Sequence, residues 1–269
     1  MTEGMNTQPF SIGGAVGFGW KRAWKNFWWL LLVGIIFAAI NGVVFLITGG
    51  TDMAPTEVTD PAALQDQITT ATGSVMSLIG SLVQFFVTAF LGLGVLRIAL
   101  AVTSGDRVRI GRLWSFEGFG RYILASIIVA IVVIVAFMIP FGIGLAISAG
   151  TDQIAWLVIG LILGLIVAIL LGLGFSFYGY VIVDKNAKGL SSLGESWRLI
   201  KPHFGGLFGL HIVVALILIA TMIVAVLLGV LLIFVGLLIT LPIAGVLVFG
   251  IPAFAFAYAY RTLAGEPVA

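Results

Sequence analysis

Residues 20–48 read WKRAWKNFWWLLLVGIIFAAINGVVFLIT, and this stretch decides the fold. Three basic residues, Lys21, Arg22 and Lys25, are followed by an uncharged run of about 22 residues from Phe27 to Thr48. At a rise of about 1.5 Å per residue, such a run crosses the roughly 30 Å hydrocarbon core of a bilayer. It is also longer than the roughly 7–15 apolar residues of a signal peptide. We therefore predict a first transmembrane helix here and no cleaved signal.

Five further apolar runs of similar length follow along the 269 residues of the chain. Hydrophobic residues make up 61% of the composition and charged residues only 9%, whereas a soluble protein carries about 25% charged residues. Because the backbone must satisfy its own hydrogen bonds inside a bilayer, each run is predicted to be an α-helix. The sequence thus predicts an all-α integral membrane protein whose six transmembrane helices form three sequential hairpins, at residues 27–48, 74–98, 120–147, 154–180, 206–235 and 241–260.

Positive charge is confined to one side of these predicted spans. With thirteen basic and six acidic residues, that side has a net charge of +7, while the other side carries five acidic residues and no basic one. Basic segments resist translocation, which predicts a multi-pass protein of the cytoplasmic membrane with both termini cytoplasmic. The thirteen basic residues are Lys21, Arg22, Lys25, Arg97, Arg107, Arg109, Arg112, Arg121, Lys185, Lys188, Arg198, Lys201 and Arg261.

A short pattern of Trp, charged residues and Phe recurs before the first, third and fifth spans, in residues 18–27, 110–119 and 194–204. Each hairpin also ends in a similar aromatic or basic patch. The recurrence predicts three copies of one unit made of an interfacial helix, a span, an outer turn and a second span. The predicted domains are a cytoplasmic N-terminal segment at 1–26, a transmembrane domain at 27–262 with repeats at about 10–103, 104–189 and 190–262, and a cytoplasmic tail at 263–269.

The helices before the spans are predicted to be amphipathic and to lie at the membrane interface. Val16, Trp20, Trp24 and Phe27 follow helical spacing and share one face, while basic residues fall mainly on the other. Aromatic side chains at headgroup depth above anionic lipid headgroups fit this arrangement. A docking groove for a cytoplasmic protein partner is the alternative. The predicted interfacial anchors are Trp20, Trp24, Trp114 and Trp197.

Polar residues inside the spans are few, and they mark the predicted intramembrane contacts. Counted along the helices, Asn41 and Gln84 lie at similar depths, so we predict that they approach each other within the first hairpin and share a hydrogen bond. A polar substrate site is the sharper alternative. His211 is predicted to donate to a carbonyl group of a neighbouring helix, with a proton relay as the alternative.

The residue inventory leaves little for catalysis. The chain has no Cys and only two His, His203 and His211, which lie eight residues apart. Nucleotide-binding, zinc-binding and triad motifs are absent from the sequence. We therefore predict no catalytic residue, no cofactor, no metal site and no nucleic-acid partner, and we expect that the protein is not an enzyme.

Small residues and prolines mark the expected helix contacts and bends. Gly160 and Gly164 form one GxxxG pattern and Gly205 and Gly209 another, which favours internal helix packing, with homo-oligomerisation as the alternative. Pro140 and Pro252 each remove a helical hydrogen bond and are predicted to kink their spans. Before the second span, the sequence around Asp60 and Pro61 predicts the start of a short outer helix that joins the span at Gly73.

The stretch from Ser104 to Phe116 resembles the short inner loop, rich in glycine and charge, of a known membrane domain. That domain is attached to some bacterial glycerophosphodiester phosphodiesterases and also occurs in stand-alone relatives. The segment Ala23-Trp24-Lys25-Asn26-Phe27-Trp28 resembles the same family. The resemblance covers most of the chain and implies about six helices. No hydrolase domain follows the last predicted span, so it implies a membrane domain without catalytic residues of its own.

Two functions remain open from the sequence. The first is a non-enzymatic membrane component that organises lipid or scaffolds a partner. The second is a small permease or channel for a polar or amphiphilic solute. A permease is expected to contain a cavity that reaches the midplane and is lined by residues such as Gln84 or His211. A lipid-organising protein is expected to have a filled core and an exposed apolar groove.

Overall fold

The computed structural model describes the backbone of residues 10–47, 63–231 and 235–269, and the side chains of these except at 41, 44–47, 63–77, 229–231 and 235–242. This part of the chain consists of α-helices and two short 3₁₀ helices, without a strand. In chain order the elements are α1 (Ile12–Lys25), α2 (Phe27–Ile47), α3 (Ala63–Thr103), η1 (Ile110–Trp114), α4 (Phe119–Thr151), α5 (Ile154–Gly174), α6 (Tyr178–Lys185), α7 (Gly189–Ile200), η2 (Lys201–His203), α8 (Phe204–Leu231) and α9 (Val235–Leu263).

Five helical segments in the described residues are long and apolar enough to cross a membrane, and a bent pair, α1 with α2, raises the number to six. The prediction of an all-α polytopic membrane protein is confirmed. The hairpins α2–α3, α4–α5 and α8–α9 each pack internally and follow one another along the chain. The division into three repeats with the boundaries given above stays a prediction.

Two span boundaries differ from the sequence prediction. Helix α3 is continuous from Ala63 to Thr103, so the expected join at Gly73 is wrong, and the expected cap at Asp60 and Pro61 lies outside the described residues. The predicted span 154–180 lies within one candidate membrane span, Ile154–Lys185, but its helix is interrupted, because α5 ends at Gly174 and three turn residues separate it from α6. The 21 residues of α5 extend about 31 Å, which matches the thickness of a hydrocarbon core.

The core lies at one end of the bundle, which we call the basic end: the end where α3 and α9 finish and α4 and α8 begin. Phe177, Tyr180 and Tyr260 are buried there. The rings of Tyr180 and Tyr260 stack with centroids 5.7 Å apart, and Phe177 meets Tyr260 edge-on at 5.9 Å. Helix α6 also approaches α3 so closely that a Cβ at Gly179 would collide with Leu96. The final parts of α3 and α9 therefore converge with the start of α6 in one packed layer.

Helix α1 packs on α9 through a stripe of small residues. Ala15, Gly19 and Ala23 are completely buried, and a Cβ added at Gly19 would lie 2.7 Å from the main-chain oxygen of Ile251. Because α1 and α2 meet at 85°, α1 is a separate element from the span that follows it. The face that packs on α9 is thus the small-residue face, while Trp20 and Trp24 of the predicted aromatic face stay partly exposed.

The three segments that precede the first, third and fifth spans are not equivalent. Before the third span the structure has only η1, five residues of 3₁₀ helix, where an amphipathic helix was predicted. Helix α7 buries Gly189, Ser192, Leu193 and Ser196 and continues through η2 into α8. After η1 the chain reaches Gly118, at φ 71°, and α4 begins at the next residue. The prediction of three interfacial amphipathic helices is therefore wrong for the middle one.

Close backbone contact holds the α4–α5 hairpin together. A Cβ at Gly160 would lie 2.6 Å from the Pro140 oxygen, and one at Gly164 would lie 2.8 Å from the Phe137 oxygen. The first GxxxG pattern thus serves internal packing, as predicted. The second does not act as a pair, because Gly205 faces open space and only Gly209 has a close neighbour, Ile12 of α1.

Candidate functional site

An apolar groove lies between α8 and α9, and we call it the α8–α9 groove. Its volume is about 360 Å³. Apart from the indole of Trp20, Thr221 is the only lining residue with a polar side chain, and its hydroxyl group donates to the Ile217 oxygen of its own helix at 2.8 Å. The lining residues are Trp20, Ile217, Ala220, Thr221, Val224, Ala225, Leu228, Ile243, Ala244 and Leu247.

Helix α1 places Trp20 at one end of this groove. Its contacts with α9 run from Tyr258, beside Gly14, to Gly250, beside Ala23, so α1 is antiparallel to α9. The α9 residues of the groove, such as Leu247, lie beyond these contacts in the direction away from the basic end. Trp20 therefore closes the end of the groove that faces the basic end.

Aromatic and basic side chains continue from Trp20 along α1. Trp24 meets Trp20 edge-on at 5.9 Å, and its ring stacks on Phe27 at 5.6 Å. Lys21 and Lys25 are exposed. Arg22 has a different role, because its guanidinium lies over the Phe18 ring at 5.1 Å and donates to the main-chain oxygen of Ala269. Helix α1 thus carries an aromatic pair, of which Trp20 lines the groove, and two exposed lysines.

A second groove, of about 510 Å³, separates α5 from α8 and contains His211. The Nδ1 atom of His211 lies 2.9 Å from the Leu207 oxygen one turn earlier, and its ring contacts Phe256 at 4.4 Å. The predicted bond to a neighbouring helix is therefore wrong, since the partner belongs to α8 itself. The remaining lining residues are apolar: Ile169, Gly172, Leu173, Phe208, Ile212 and Ala215.

An ionic cluster joins α6, α9 and the tail at the basic end. Tyr260 donates to Asp184 Oδ2 at 2.9 Å, and Arg261 lies 3.2 Å from Asp184 Oδ1 while it also binds Glu266. Burial, together with the nearby Asp184 carboxylate, raises the pKa of Glu266 above its ordinary value. Because both carboxylates bind the same arginine, the cluster is suited to a structural role.

Arginines also hold the connecting loops. Arg97 donates to the Ser115 oxygen at 2.5 Å and to the Glu117 main-chain oxygen, and Arg121 donates to the Asn186 oxygen at 2.7 Å. Arg112 binds Asp106 at 2.7 Å, and this hydrogen bond lowers the pKa of the Asp106 carboxyl group. Among the described acidic residues at this end, Asp106, Asp184 and Glu266 bind arginines, Glu195 binds Lys185, and Glu117 contributes its carbonyl group to Arg97.

The four predicted anchors are all partly exposed. Trp20 lines the α8–α9 groove, and Trp24 contacts Trp20 on α1. The Trp114 ring lies 6.3 Å from that of Phe90 on α3. Trp197 covers the end of α5, where its ring lies 5.9 Å from Phe175. The structure brings only Trp20 and Trp24 together.

The remaining predicted contact is not decided. The side chain of Asn41 lies outside the described side chains, so its hydrogen bond with Gln84 stays a prediction. The amide group of Gln84 donates to Thr88 Oγ1 at 3.2 Å, within α3. Among the described residues, no group of three or more His, Asp or Glu side chains is placed to hold a metal ion.

Sequence reasoning missed Ser196, which organises the break between α5 and α6. Its buried hydroxyl group donates to the Gly174 oxygen at 3.0 Å and accepts from the Phe177 amide at 3.1 Å. One side chain thus satisfies two backbone groups that a helix end leaves without partners. The available signal was the spacing of Gly189, Ser192 and Ser196, small residues on one face of α7.

Comparison with known proteins adds no further information. No family model matches the chain, and no curated protein or solved structure is significantly similar to it.

Proposed function

We propose that the protein is a non-enzymatic membrane component that holds and organises lipid between its helices. The observation that carries this proposal is the α8–α9 groove, which is lined by apolar side chains and has Trp20 at one end. Surfaces of this kind are filled by hydrocarbon when the protein lies in a bilayer. The resemblance to a membrane domain without hydrolase residues is compatible with this role.

The packed basic end supports a binding role over transport. Its centre is filled by Phe177, Tyr180 and Tyr260, and its helices are joined by the Asp184–Arg261 pair. A transporter needs two packings of similar free energy around its substrate. A layer of interlocked aromatic rings and ion pairs favours one packing.

The proposed location is the cytoplasmic membrane, with both termini and the basic end on the cytoplasmic side. The distribution of Lys and Arg supports this orientation. Because the chain has no Cys, Lys188→Cys and Asp152→Cys each provide a single labelling site. A membrane-impermeant maleimide applied to intact cells is expected to label only the Asp152→Cys variant. Labelling of Lys188→Cys from outside would overturn the orientation.

The proposal is tested by the lipid that the purified protein retains. We expect phospholipid to remain bound in near-stoichiometric amount after extended washing in mild detergent, as measured by mass spectrometry of the extract. A polytopic membrane protein of similar size, prepared in parallel, serves as the control. Retention no greater than that of the control would sink the proposal.

A permease is the second candidate, and the observation that favours it is His211 in the α5–α8 groove. Proteoliposomes that take up a polar solute, with uptake abolished by His211→Leu or Gln84→Leu, would support it. Absence of uptake together with retained lipid supports the lipid-organising role. A protein partner that co-purifies in fixed ratio would instead favour scaffolding.

A further inference from the structure

We propose that the α3–α4 loop, residues 104–118, binds an anionic phospholipid at the membrane surface: Trp114 and Phe116 enter the bilayer interface, and Arg107 and Arg109 hold the phosphate group. The inference goes beyond the proposed function, because it concerns a different surface of the molecule and does not require lipid in the α8–α9 groove. Four features of the described residues carry it: how the loop is held, where its aromatic rings lie, where the exposed apolar surface of α3 ends, and how the charges of the loop are paired.

The α3–α4 loop folds back along α3 and is fixed there. The amide group of Asp106 donates to the Ala101 oxygen at 2.9 Å, so the chain reverses directly after α3. Further along, Leu113 lies so close to α3 that a Cβ at Gly94 would be 2.7 Å from its Cα atom. Arg97 donates to two main-chain oxygens of the loop. Because Gly94 lies about 10 Å from Ala101 along the helix, the loop descends from the basic end by that distance.

The aromatic rings of the loop lie beyond Gly94, on the side away from the basic end. The ring of Phe116 lies 4.7 Å from that of Phe90, and the ring of Trp114 lies 6.3 Å from it. Phe116 is 73% exposed and Trp114 is 48% exposed. A patch of exposed aromatic rings is unfavourable in water, whereas the interface of a bilayer favours such rings, and tryptophan in particular.

The exposed apolar surface of α3 ends at the level of these rings. Among the described side chains of α3, the large apolar ones that are exposed lie between Leu78 and Phe86, and none lies between Phe86 and Thr103. Lipid tails are as apolar as these side chains, so exposure to hydrocarbon costs nothing, whereas exposure to water is unfavourable. The change after Phe86 therefore marks the edge of the hydrocarbon core. Phe90 follows one turn later, so the two loop rings that contact it lie at this edge.

Two arginines of the loop lie on the headgroup side of the rings. Val108 is buried while Arg107 and Arg109 on either side of it are exposed, and the backbone at Arg109 is extended. In an extended segment, residues two apart point to the same side, about 6.6 Å from each other. Along the chain both arginines lie between the contacts with Ala101 and Gly94. Their guanidinium groups can therefore reach one phosphate group above the aromatic rings.

The pairing of the other charges leaves these two arginines to a ligand. Asp106 binds Arg112 at 2.7 Å, and in the described part of the chain this is the ion pair that the loop forms. Asp106 is within electrostatic range of Arg109 as well, but its hydrogen bond is with Arg112. An anionic headgroup is favoured over a zwitterionic one because each nearby arginine contributes electrostatic attraction. The planar guanidinium group also binds phosphate oxygens through paired hydrogen bonds.

Insertion of the aromatic side chains is tested with spin labels. Because the chain has no Cys, Phe116→Cys and Ser104→Cys each accept one label in the full chain, reconstituted as one copy per nanodisc of phosphatidylglycerol and phosphatidylcholine. Oxygen enters the bilayer and an aqueous nickel complex does not. We expect the ratio of collisions with oxygen to collisions with nickel to be roughly fivefold higher at position 116 than at position 104. Equal ratios would overturn the insertion and leave the aromatic surface to a protein partner.

Binding of the phosphate group is tested with phosphatidylglycerol that carries a photoreactive diazirine next to its headgroup. After irradiation, digestion and mass spectrometry, we expect the label on peptides of residues 104–118, with phosphatidylcholine as the competitor. The preference for phosphatidylglycerol is expected to fall about fivefold in Arg107→Gln and in Arg109→Gln, and about 25-fold in the double variant. Arg109→Lys keeps the charge and is expected to keep most of the preference. Arg198→Gln, at a side chain that is 80% exposed on α7, is the matched control and should change nothing.

The outcomes separate this inference from the proposed function. If the loop variants lose their preference for phosphatidylglycerol while the purified protein retains no more lipid than its control, the proposed function fails and the inference stands. If lipid is retained but the loop variants behave like Arg198→Gln, the assignment of the phosphate group to Arg107 and Arg109 is overturned, and the lipid-organising role stands.

Discussion

The segment Ile243–Leu263 and the α4–α5 hairpin are both apolar enough to cross a membrane, but they are packed very differently. In the first, 61% of the most apolar window is buried inside the protein, against 6% in α4 and 11% in the segment that starts with α5. The buried segment alternates alanine with aromatic residues from Ala253 to Tyr260, whereas α4 is rich in Ile and Val. Small residues permit close approach between helices where hydrocarbon supplies no hydrophobic driving force. Hydropathy therefore locates a span, and small residues indicate which span is central.

The largest expected effect comes from breaking the contact between α1 and α9. Gly19→Leu would place a side chain against the main chain of Ile251, which cannot move aside. We expect a loss of about 3 kcal/mol in the free energy of unfolding, measured by equilibrium unfolding in mixed micelles. Gly17→Leu, on the open face of the same helix, is the control and should change it little. Equal stability of the two variants would show that α1 does not dock on α9.

A smaller effect is expected at the α5–α6 break. Ser196→Ala leaves the Gly174 oxygen and the Phe177 amide without their buried partner. We expect a loss of about 2 kcal/mol in the same unfolding measurement. Ser191→Ala removes an exposed hydroxyl group that bonds only Lys188, and serves as the control. A cost no larger than that of the control would mean that this serine does not hold the break.

The exposed hairpin should respond only locally. Gly160→Ala forces α4 and α5 apart near Pro140, which is expected to cost about 1 kcal/mol. Hydrogen exchange should increase in α4 and α5 while the basic end keeps its protection. The control is Gly142→Ala, in the same hairpin with open space around it. Faster exchange throughout α9 would contradict the independence of the hairpin.

The smallest effects concern pH and have opposite signs at two carboxyl groups. The pKa of Glu266 is raised in the folded protein, so its contribution favours folding more as the pH falls and is lost as the pH rises through the raised pKa. The pKa of Asp106 is lowered, so its contribution is present at neutral pH and is lost as the pH falls through the lowered pKa.

Melting temperatures between pH 4 and pH 8 test this pair. As the pH falls, we expect the melting temperature of the parent to rise relative to that of Glu266→Gln. Over the same range, the advantage of the parent over Asp106→Asn in melting temperature is expected to shrink. The effects are expected to be about 1 °C or less, because both groups are at least partly exposed. If the difference in melting temperature from the parent changed with pH in the same direction for both variants, the opposite pKa shifts of Glu266 and Asp106 would be ruled out.

Much of the helical layout could be predicted, because each span depends on a continuous run of apolar residues. Helix α2 begins at Phe27 and α5 at Ile154, as predicted. The break after Gly174 could not be predicted, because it depends on the Ser196 hydroxyl group, which reaches it from another helix. For the candidate site, Trp20 was identified, but the α8–α9 groove beside it was not, since its walls come from residues about 200 positions away.

Membrane insertion, the helical state of the spans and the side that holds the basic residues follow from properties that each residue carries along the chain. Transfer free energies and charges need no knowledge of distant neighbours, so linear order is sufficient for them. The face that α1 packs against α9, the central place of α9 and the groove closed by Trp20 are decided by close fit between residues far apart in sequence. Shape complementarity of this kind exists only after the helices have packed, because each contact depends on the position of both partners.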